Sequence, residues 1–256
     1  MALPFPIPSD LSPEFTLSRL TAADLEGLIE VYYVAFQADR RNTFWWSDRE
    51  PMMEWMRRRV RRKMNDRSVR HYKITDVKSG DLVAFARWDI PKGHEEAFGE
   101  WVGDDAAAVD VSGVVAESQE GGNPPVNTAP VEAITPPAFD YPVGTRPELC
   151  KVFFDALKNM SEKQNADSML GLSLLSTSPK YHRKGAAKAL MLPMLAIADA
   201  RGLKTYLEAT PDGKPVYERY GFREVDELLF DLKELTGKFD ESYKISIMVR
   251  EPKSIS

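Results

Sequence analysis

A single cysteine, Cys150, in 256 residues leaves no partner for an internal disulfide and excludes a multi-cysteine zinc site. Histidine is nearly as scarce, and His71, His94 and His182 are scattered without metal-ligand spacing, so no metal is expected. No apolar run approaches the roughly 20 residues that cross a bilayer, which argues against a membrane partner. The opening MALPFPIPSD has no basic n-region and carries three prolines where a leader needs an apolar core, so a secretory signal is not expected. Positive charge is not in excess: 34 Lys and Arg face 39 Asp and Glu, and a net charge of -5 makes nucleic acid an unlikely general partner. These absences fit a cytoplasmic chain, with the nucleus left open.

What is present is an ordinary charged fraction and 43% apolar residues, enough to bury a substantial core. Phe15 to Leu20 alternates like a strand, and Thr21 to Asp24 offers a helix N-cap before the periodic LEGLIEVYYVAF. Glu50 to Asn65 reads as a second helix. Two strands, VRHYKITDV and LVAFARWDI, flank a KSGD turn and predict a hairpin. A helix from Pro147, the strand SMLGLSLLST, a long helix through Ala200, the strand LKTYLEAT, a short helix ending at Gly221 and two further strands complete the order.

Between Gly93 and Thr145 there is no lysine or arginine but ten acidic residues, with GGNPP and TPPAFDYP among them. Such a stretch does not fold readily by itself, so it reads as a flexible acidic insertion at about 93–145 within one domain spanning 15–256, after a tail at 1–14. Phe98 and Trp101 are its candidates for local docking. Arg57 to Arg70 holds eight basic residues. That run is a solvated face, a surface for an acidic partner, or the counterpart of the chain's own acidic insertion.

The segment SPKYHRKGAAKALM, Ser178 to Met191, joins a predicted strand to a predicted helix. The first N–H groups of a helix have no intrahelical partner, and an anion satisfies them. Arg183 and Lys184 add positive charge, and Gly185 lets a backbone amide come close to a phosphate. The spacing supplies neither a Walker loop nor a dinucleotide fingerprint. A diphosphate suits it.

With those residues the chain resembles the GNAT superfamily of acyl-CoA-dependent N-acetyltransferases, whose pyrophosphate loop follows [Q/R]-x-x-G-x-[G/A]. His182, Arg183, Lys184, Gly185, Ala186 and Ala187 align with it, His182 replacing the usual Gln or Arg. PVYERYGF, Pro215 to Phe222, resembles the family's last helix, in which a tyrosine faces the thioester sulfur. The resemblance implies an α/β fold of mixed α+β type, a GNAT-like mixed sheet with two splayed parallel strands flanked by helices. It further implies acetyl-CoA as cosubstrate, no metal, and backbone contacts to the cosubstrate from Leu174, Leu175 and Ser176. Thr210 stands where many members place an Asn that touches the cosubstrate. Tyr217 is the implied general acid, because a phenol near its ordinary pKa of about 10 stays protonated at neutral pH. Glu208 and Asp89 are candidate bases, with Glu208 on the strand facing the site. Cys150 lacks a visible base and reads as core. The acceptor reads as an amine, a small molecule favoured by the aromatic content, with protein N-termini and lysine side chains left open. A non-catalytic acyl-CoA-binding or interaction module is the rival.

Overall fold

A computed structural model of the chain describes residues 2–39, 41–101, 140–238 and 240–254. Seven strands form one mixed sheet: β1 (Phe15–Arg19), β2 (Val69–Asp76), β3 (Leu82–Asp89), β4 (Leu170–Thr177), β5 (Thr205–Ala209), β6 (Arg223–Asp231) and β7 (Ser242–Arg250). Their spatial order is β1-β2-β3-β4-β5-β7-β6, antiparallel everywhere except between β4 and β5. The helices are α1 (Leu25–Phe36), α2 (Arg49–Met64), α3 (Pro147–Lys163), α4 (Ala186–Ala200), α5 (Lys214–Glu218) and α6 (Leu232–Thr236). The expected elements are present in the expected order. Among the details added by the structure are a 3-10 turn at Ala22–Asp24 closed by reciprocal Thr21 and Asp24 bonds, and α6 in the β6–β7 connection.

Strand alternation sends neighbouring side chains to opposite faces, and the core divides accordingly. Ala84, Ala86, Trp88, Leu170, Leu172 and Leu207 pack with α4 on one face. Phe85, Tyr206, Ile245 and Ile247 pack with α1, α2 and α3 on the other. That second layer is strongly aromatic: the rings of Trp45 and Phe153 stack at 5.4 Å, Trp45 meets Trp55 edge-on at 5.4 Å, and Arg59 lies 4.6 Å over Trp55 and 4.4 Å over Phe154. Cys150 is buried in it, and desolvation raises its thiol to about 12, as a packing cysteine requires. Trp45 and Trp55 are core, whereas Trp46 is half-buried.

The segment before β1, expected as a tail, packs Leu3, Phe5 and Leu11 against the α4-side core, with the Phe5 ring 5.1 Å from that of Tyr72. Residues 102–139, the bulk of the predicted acidic insertion, lie outside the described residues. Its described ends both meet the basic run, the exit on α2 and the entry just after it, at Arg67 and β2. On entry Arg67 lies 5.3 Å over the Trp101 ring, and the Phe98 and Gly99 carbonyls accept from Tyr72 and Arg70. On exit the Asp140 carboxylate accepts from Arg58 and Arg62 at 3.0 Å each, and its carbonyl from Trp55 Nε1 at 3.0 Å. Part of the basic run is thus committed to the chain's own acid.

One buried ion pair ties α4 to the sheet. Arg250, at the end of β7, donates through both terminal nitrogens to Asp199 near the end of α4, each at 2.7 Å, and its Nε donates to the Tyr220 carbonyl at 3.0 Å. The paired donors offset the burial of the guanidinium, and these contacts hold the Asp199 carboxyl below its ordinary range. A depressed folded-state pKa contributes stability that is present above the ordinary carboxylate pKa and lost as pH falls through the folded one. Replacing Asp199 by Ala is expected to cost about 3–5 kcal/mol in urea unfolding at neutral pH, as for other broken buried pairs. The deficit should narrow towards acid pH, and an equal deficit at both ends would show that the pair does not titrate with folding.

Candidate active site

The two parallel strands barely touch. Pairing between β4 and β5 is confined to Leu170 with Thr205 and Gly171 with Tyr206, at the start of both strands. Beyond it, β4 continues to Thr177 against β3, and β5 continues to Ala209 against β7. The gap therefore widens towards the carboxyl ends of both strands. Alternate residues of a strand point their N–H and C=O to opposite neighbours. Half of those between Leu172 and Thr177 consequently face no β5 partner, and Leu174, Leu175 and Ser176 are among the residues lining this stretch.

At the open end the chain after Thr177 makes a 3-10 turn, Pro179–Tyr181, and enters α4 through Gly185. His182 Nε2 lies 3.0 Å from the Thr177 carbonyl and closes the loop on the strand. Arg183 has φ +64° and Gly185 φ +87°. A Cβ on Gly185 would meet nothing within 4 Å, so the glycine supplies the left-handed backbone rather than relief from a neighbour. A non-glycine residue held in that region marks strain, which concentrates at ligand-binding turns. Ala186 and Ala187 open the helix, and its first turn holds no acid to compete for the free N–H groups. Lys184 sits 5.5 Å over the Tyr181 ring and 3.7 Å from the Glu14 carboxylate, while Lys188 pairs with Asp10.

Across the gap, Glu208 alternates with Leu207 and Ala209, which pack on the α4 face, and so points to the α1–α3 face. Tyr206 donates its hydroxyl to Glu208 Oε1 at 3.0 Å. Desolvation dominates the environment of Glu208, opposed by that hydrogen bond, and lifts its carboxyl to about 7. Asp89, the other base considered, lies opposite Gly171 at the closed end of the gap, 3.4 Å from Lys63 Nζ.

Thr210 follows β5 and accepts the Gly213 N–H on its hydroxyl at 3.2 Å, which starts α5 and leaves the hydroxyl hydrogen to donate elsewhere. Five residues cannot hold a helix alone. Here α5 is fastened by Lys214 to Glu224 and, just past its end, by the Arg250 bond to Tyr220. It carries Tyr217 against the α4-side core, ring centroid 5.9 Å from Phe222. Among the described residues no group hydrogen-bonds the Tyr217 hydroxyl, and desolvation raises it to about 12. Glu208 and Tyr217 thus belong to opposite faces of the sheet, with the gap between them.

The strand Oγ of Ser176 is buried without a partner among the described residues. An unpaired polar atom beside unpaired backbone is what a strand leaves when a ligand supplies the missing groups. The gap, the loop and the α4 terminus fit an extended thioester with a diphosphate at one end. A separate groove of about 560 Å³ is lined by Phe44 and Trp46 ahead of α2, Thr145 and Arg146 ahead of α3, and Thr236 and Lys238 at and after α6, among others.

Sequence reasoning missed the polar group around Glu208. Arg87 on β3 donates from Nε to Ser173 Oγ at 2.8 Å, and its charge, like the Tyr206 hydrogen bond, favours the ionised carboxylate. In FARWDI, Arg87 falls on the same face as Phe85 and Asp89, a placement the alternation does reveal. A charge on a strand otherwise reads as solvent-facing.

Residues 158–231 match the family described as acetyltransferase (GNAT) domain. No curated protein matches the chain. Among solved structures it is similar to a Drosophila melanogaster polyamine N-acetyltransferase that forms N-acetylagmatine, at 10% identity and TM-score 0.52, covering 93% of this chain and 99% of that one. A mosquito arylalkylamine N-acetyltransferase like 5b is similar at 10% identity and TM-score 0.51, with 93% and 99% covered. A Corynebacterium glutamicum protein described as histone acetyltransferase HPA2 and related acetyltransferase follows at 17% identity and TM-score 0.50, with 95% and 99% covered. At these identities the likeness is one of fold. The matched segment begins in α3, ends with β6 and contains both splayed strands and α4, so the match to an acetyltransferase (GNAT) domain falls on the part of the sheet that opens.

Proposed function

We propose that the chain transfers the acetyl group of acetyl-CoA to an amine by direct attack in a ternary complex. The observation that carries this reading is the two-pair junction of β4 and β5, which opens the sheet between a carboxylate of raised pKa on one face and a phenol on the other. The cosubstrate supplies an activated acyl thioester. Backbone groups of Leu174, Leu175 and Ser176 bind its arm and polarise the carbonyl. The loop His182 to Ala187, capped by Gly185, takes its diphosphate, and Thr210 donates from the start of α5.

The amine approaches from the α1–α3 face, where Glu208 accepts its proton. A carboxyl near 7 matches a base working at neutral pH far better than one in the ordinary range. Tyr217 approaches from the α4 face and donates a hydrogen bond to the leaving sulfur. Its raised pKa keeps the proton in place over the physiological range, so the phenol stabilises the thiolate chiefly as a donor. A small amine with an apolar or aromatic body is the favoured acceptor, supported by the aromatic layer on the face to which Glu208 points.

Three substitutions test these roles. Gly185→Glu places a side chain on left-handed backbone and a negative charge at the diphosphate site, so calorimetric titration should show acetyl-CoA binding lost while the protein remains folded; unchanged affinity removes the loop assignment. For Glu208→Gln, kcat/KM corrected for ionisation of the acceptor should fall about 10²-fold or more. The wild-type rate should rise with pH through about 7, where Glu208 loses its proton, and this rise should vanish in the variant. Tyr217→Phe keeps the ring and should lower kcat by about 10²-fold with little change in acetyl-CoA affinity. A wild-type kcat, with chemistry limiting, would end the donor assignment.

A further inference from the structure

The opening of the sheet starts at an irregularity in β4. Leu174 stands opposite Arg87 and Leu172 opposite Trp88, so Ser173 is an extra residue with no counterpart on β3. This is a β-bulge, which bends its strand and reverses the side-chain parity beyond it. The parity change is visible: Leu170 and Leu172 pack on the α4 face, Leu174 on the α1–α3 face and Leu175 back on the α4 face. Pairing with β5 ends at Gly171, two residues before the bulge.

A bulge leaves one residue's backbone outside the ladder, so something must hold it. Here Arg87 and Ser173 form a closed pair: Arg87 Nε donates to Ser173 Oγ at 2.8 Å, and that hydroxyl donates to the Arg87 carbonyl at 3.3 Å. Among the described residues Arg87 makes no ion pair. The charged and titratable groups around it are Arg59 from α2, His71 from β2 and Glu208 from β5. Burial holds His71 neutral, its pKa down at about 3, and Arg59 is itself a cation, so Glu208 is the carboxylate of this set. Glu208 in turn is faced by Tyr206 on its own strand and by Asp89 and Arg87 from β3; Asp89 opposes its ionisation and Arg87 favours it.

We propose that Arg87 is a positioning residue of the acetyl-transfer site: it fastens Ser173 in the bulge that turns β4 away from β5, and it presents positive charge to the Glu208 carboxylate. The proposal rests on the acetyl-transfer reading for its function, and its two parts are measured separately.

The test compares Arg87→Met, Arg87→Lys and Ser173→Ala with the wild type by calorimetric titration of acetyl-CoA and by ¹³C NMR titration of the Glu208 carboxyl in the free protein, its signal assigned with Glu208→Gln. Ser173→Ala should weaken acetyl-CoA about tenfold, the order of one charged hydrogen bond, and leave the Glu208 midpoint nearly in place. Arg87→Met should weaken acetyl-CoA at least as much and move the Glu208 midpoint to higher pH. Arg87→Lys, which keeps the charge without the planar donor, should restore the midpoint but not the affinity. A general loss of packing does not produce that split. A folded Arg87→Met protein with wild-type affinity or an unmoved Glu208 midpoint overturns the proposal. If Arg87→Met does not fold, wild-type affinity in both other variants overturns it. A wild type that fails to bind acetyl-CoA defeats the acetyl-transfer reading instead, and the Glu208 midpoint then decides the electrostatic part alone.

Discussion

Two residue pairs join the halves of the sheet, and most of the architecture follows from how few they are. Unpaired backbone inside a sheet costs free energy unless water or another partner satisfies it. The ladder of β5 with β7 is continuous and that of β3 with β4 is interrupted only at Ser173, so the deficit lies mainly on the facing edges of β4 and β5. An opening of this kind separates the sheet into a β1–β4 part and a β5–β7–β6 part. The connection from β4 to β5 is α4, whose start lies at the open end and whose far end Asp199 and Arg250 clamp to β7. The helix therefore bridges the two parts while presenting its unsatisfied N–H groups where the gap is widest.

The two faces of the opening are built from different materials. Aliphatic side chains and the small residues of α4 dominate one. Stacked aromatics and the buried Arg59 dominate the other. Two of those rings, Phe44 and Trp46, edge the groove that Arg146, Leu149 and Thr236 also line. The same layer receives the chain on its return from the acidic insertion: Asp140 meets Trp55, Arg58 and Arg62, three residues on one side of α2. Charge pairing there is local and specific, unlike the diffuse attraction expected of a basic run.

The element order and the helix-start loop were legible because each depends on local chemistry, whereas the splayed parallel pair was implied only by the resemblance to the GNAT superfamily. Alternation names strands, a Gly before an apolar helix names its entry, and the YGF step names the stop of α5. What remained hidden depends on tertiary placement. Nothing in SLLST marks Ser173 as the residue that slips out of register, because a bulge is defined by the partner strand. Arg87 reads as a surface charge until β4 and β5 are laid beside it. The N-terminal segment, rich in proline and lacking a period, gave no sign that Leu3 and Phe5 would find a face of β2 to cover.

Desolvation raises both titratable groups assigned to the chemistry, and the same physical cause serves opposite ends. For a carboxylate the charged form is the useful one, and a carboxyl lifted to about 7 is a stronger base that is still about half ionised at neutrality. For a phenol the neutral form is the useful one, and lifting it to about 12 secures a donor. Burial alone would push a carboxylate further and disable it. The Tyr206 hydrogen bond and the Arg87 charge both oppose that drift, so the low-dielectric pocket around Glu208 works only with polar neighbours that limit it. Tyr217 has no such neighbour among the described residues and needs none, since its task does not require losing a proton. The asymmetry between the two faces, a carboxylate held within limits by its partners and a phenol left to packing alone, is what an amine attacking from one side and a thiolate leaving on the other demand of a sheet that has been opened between them.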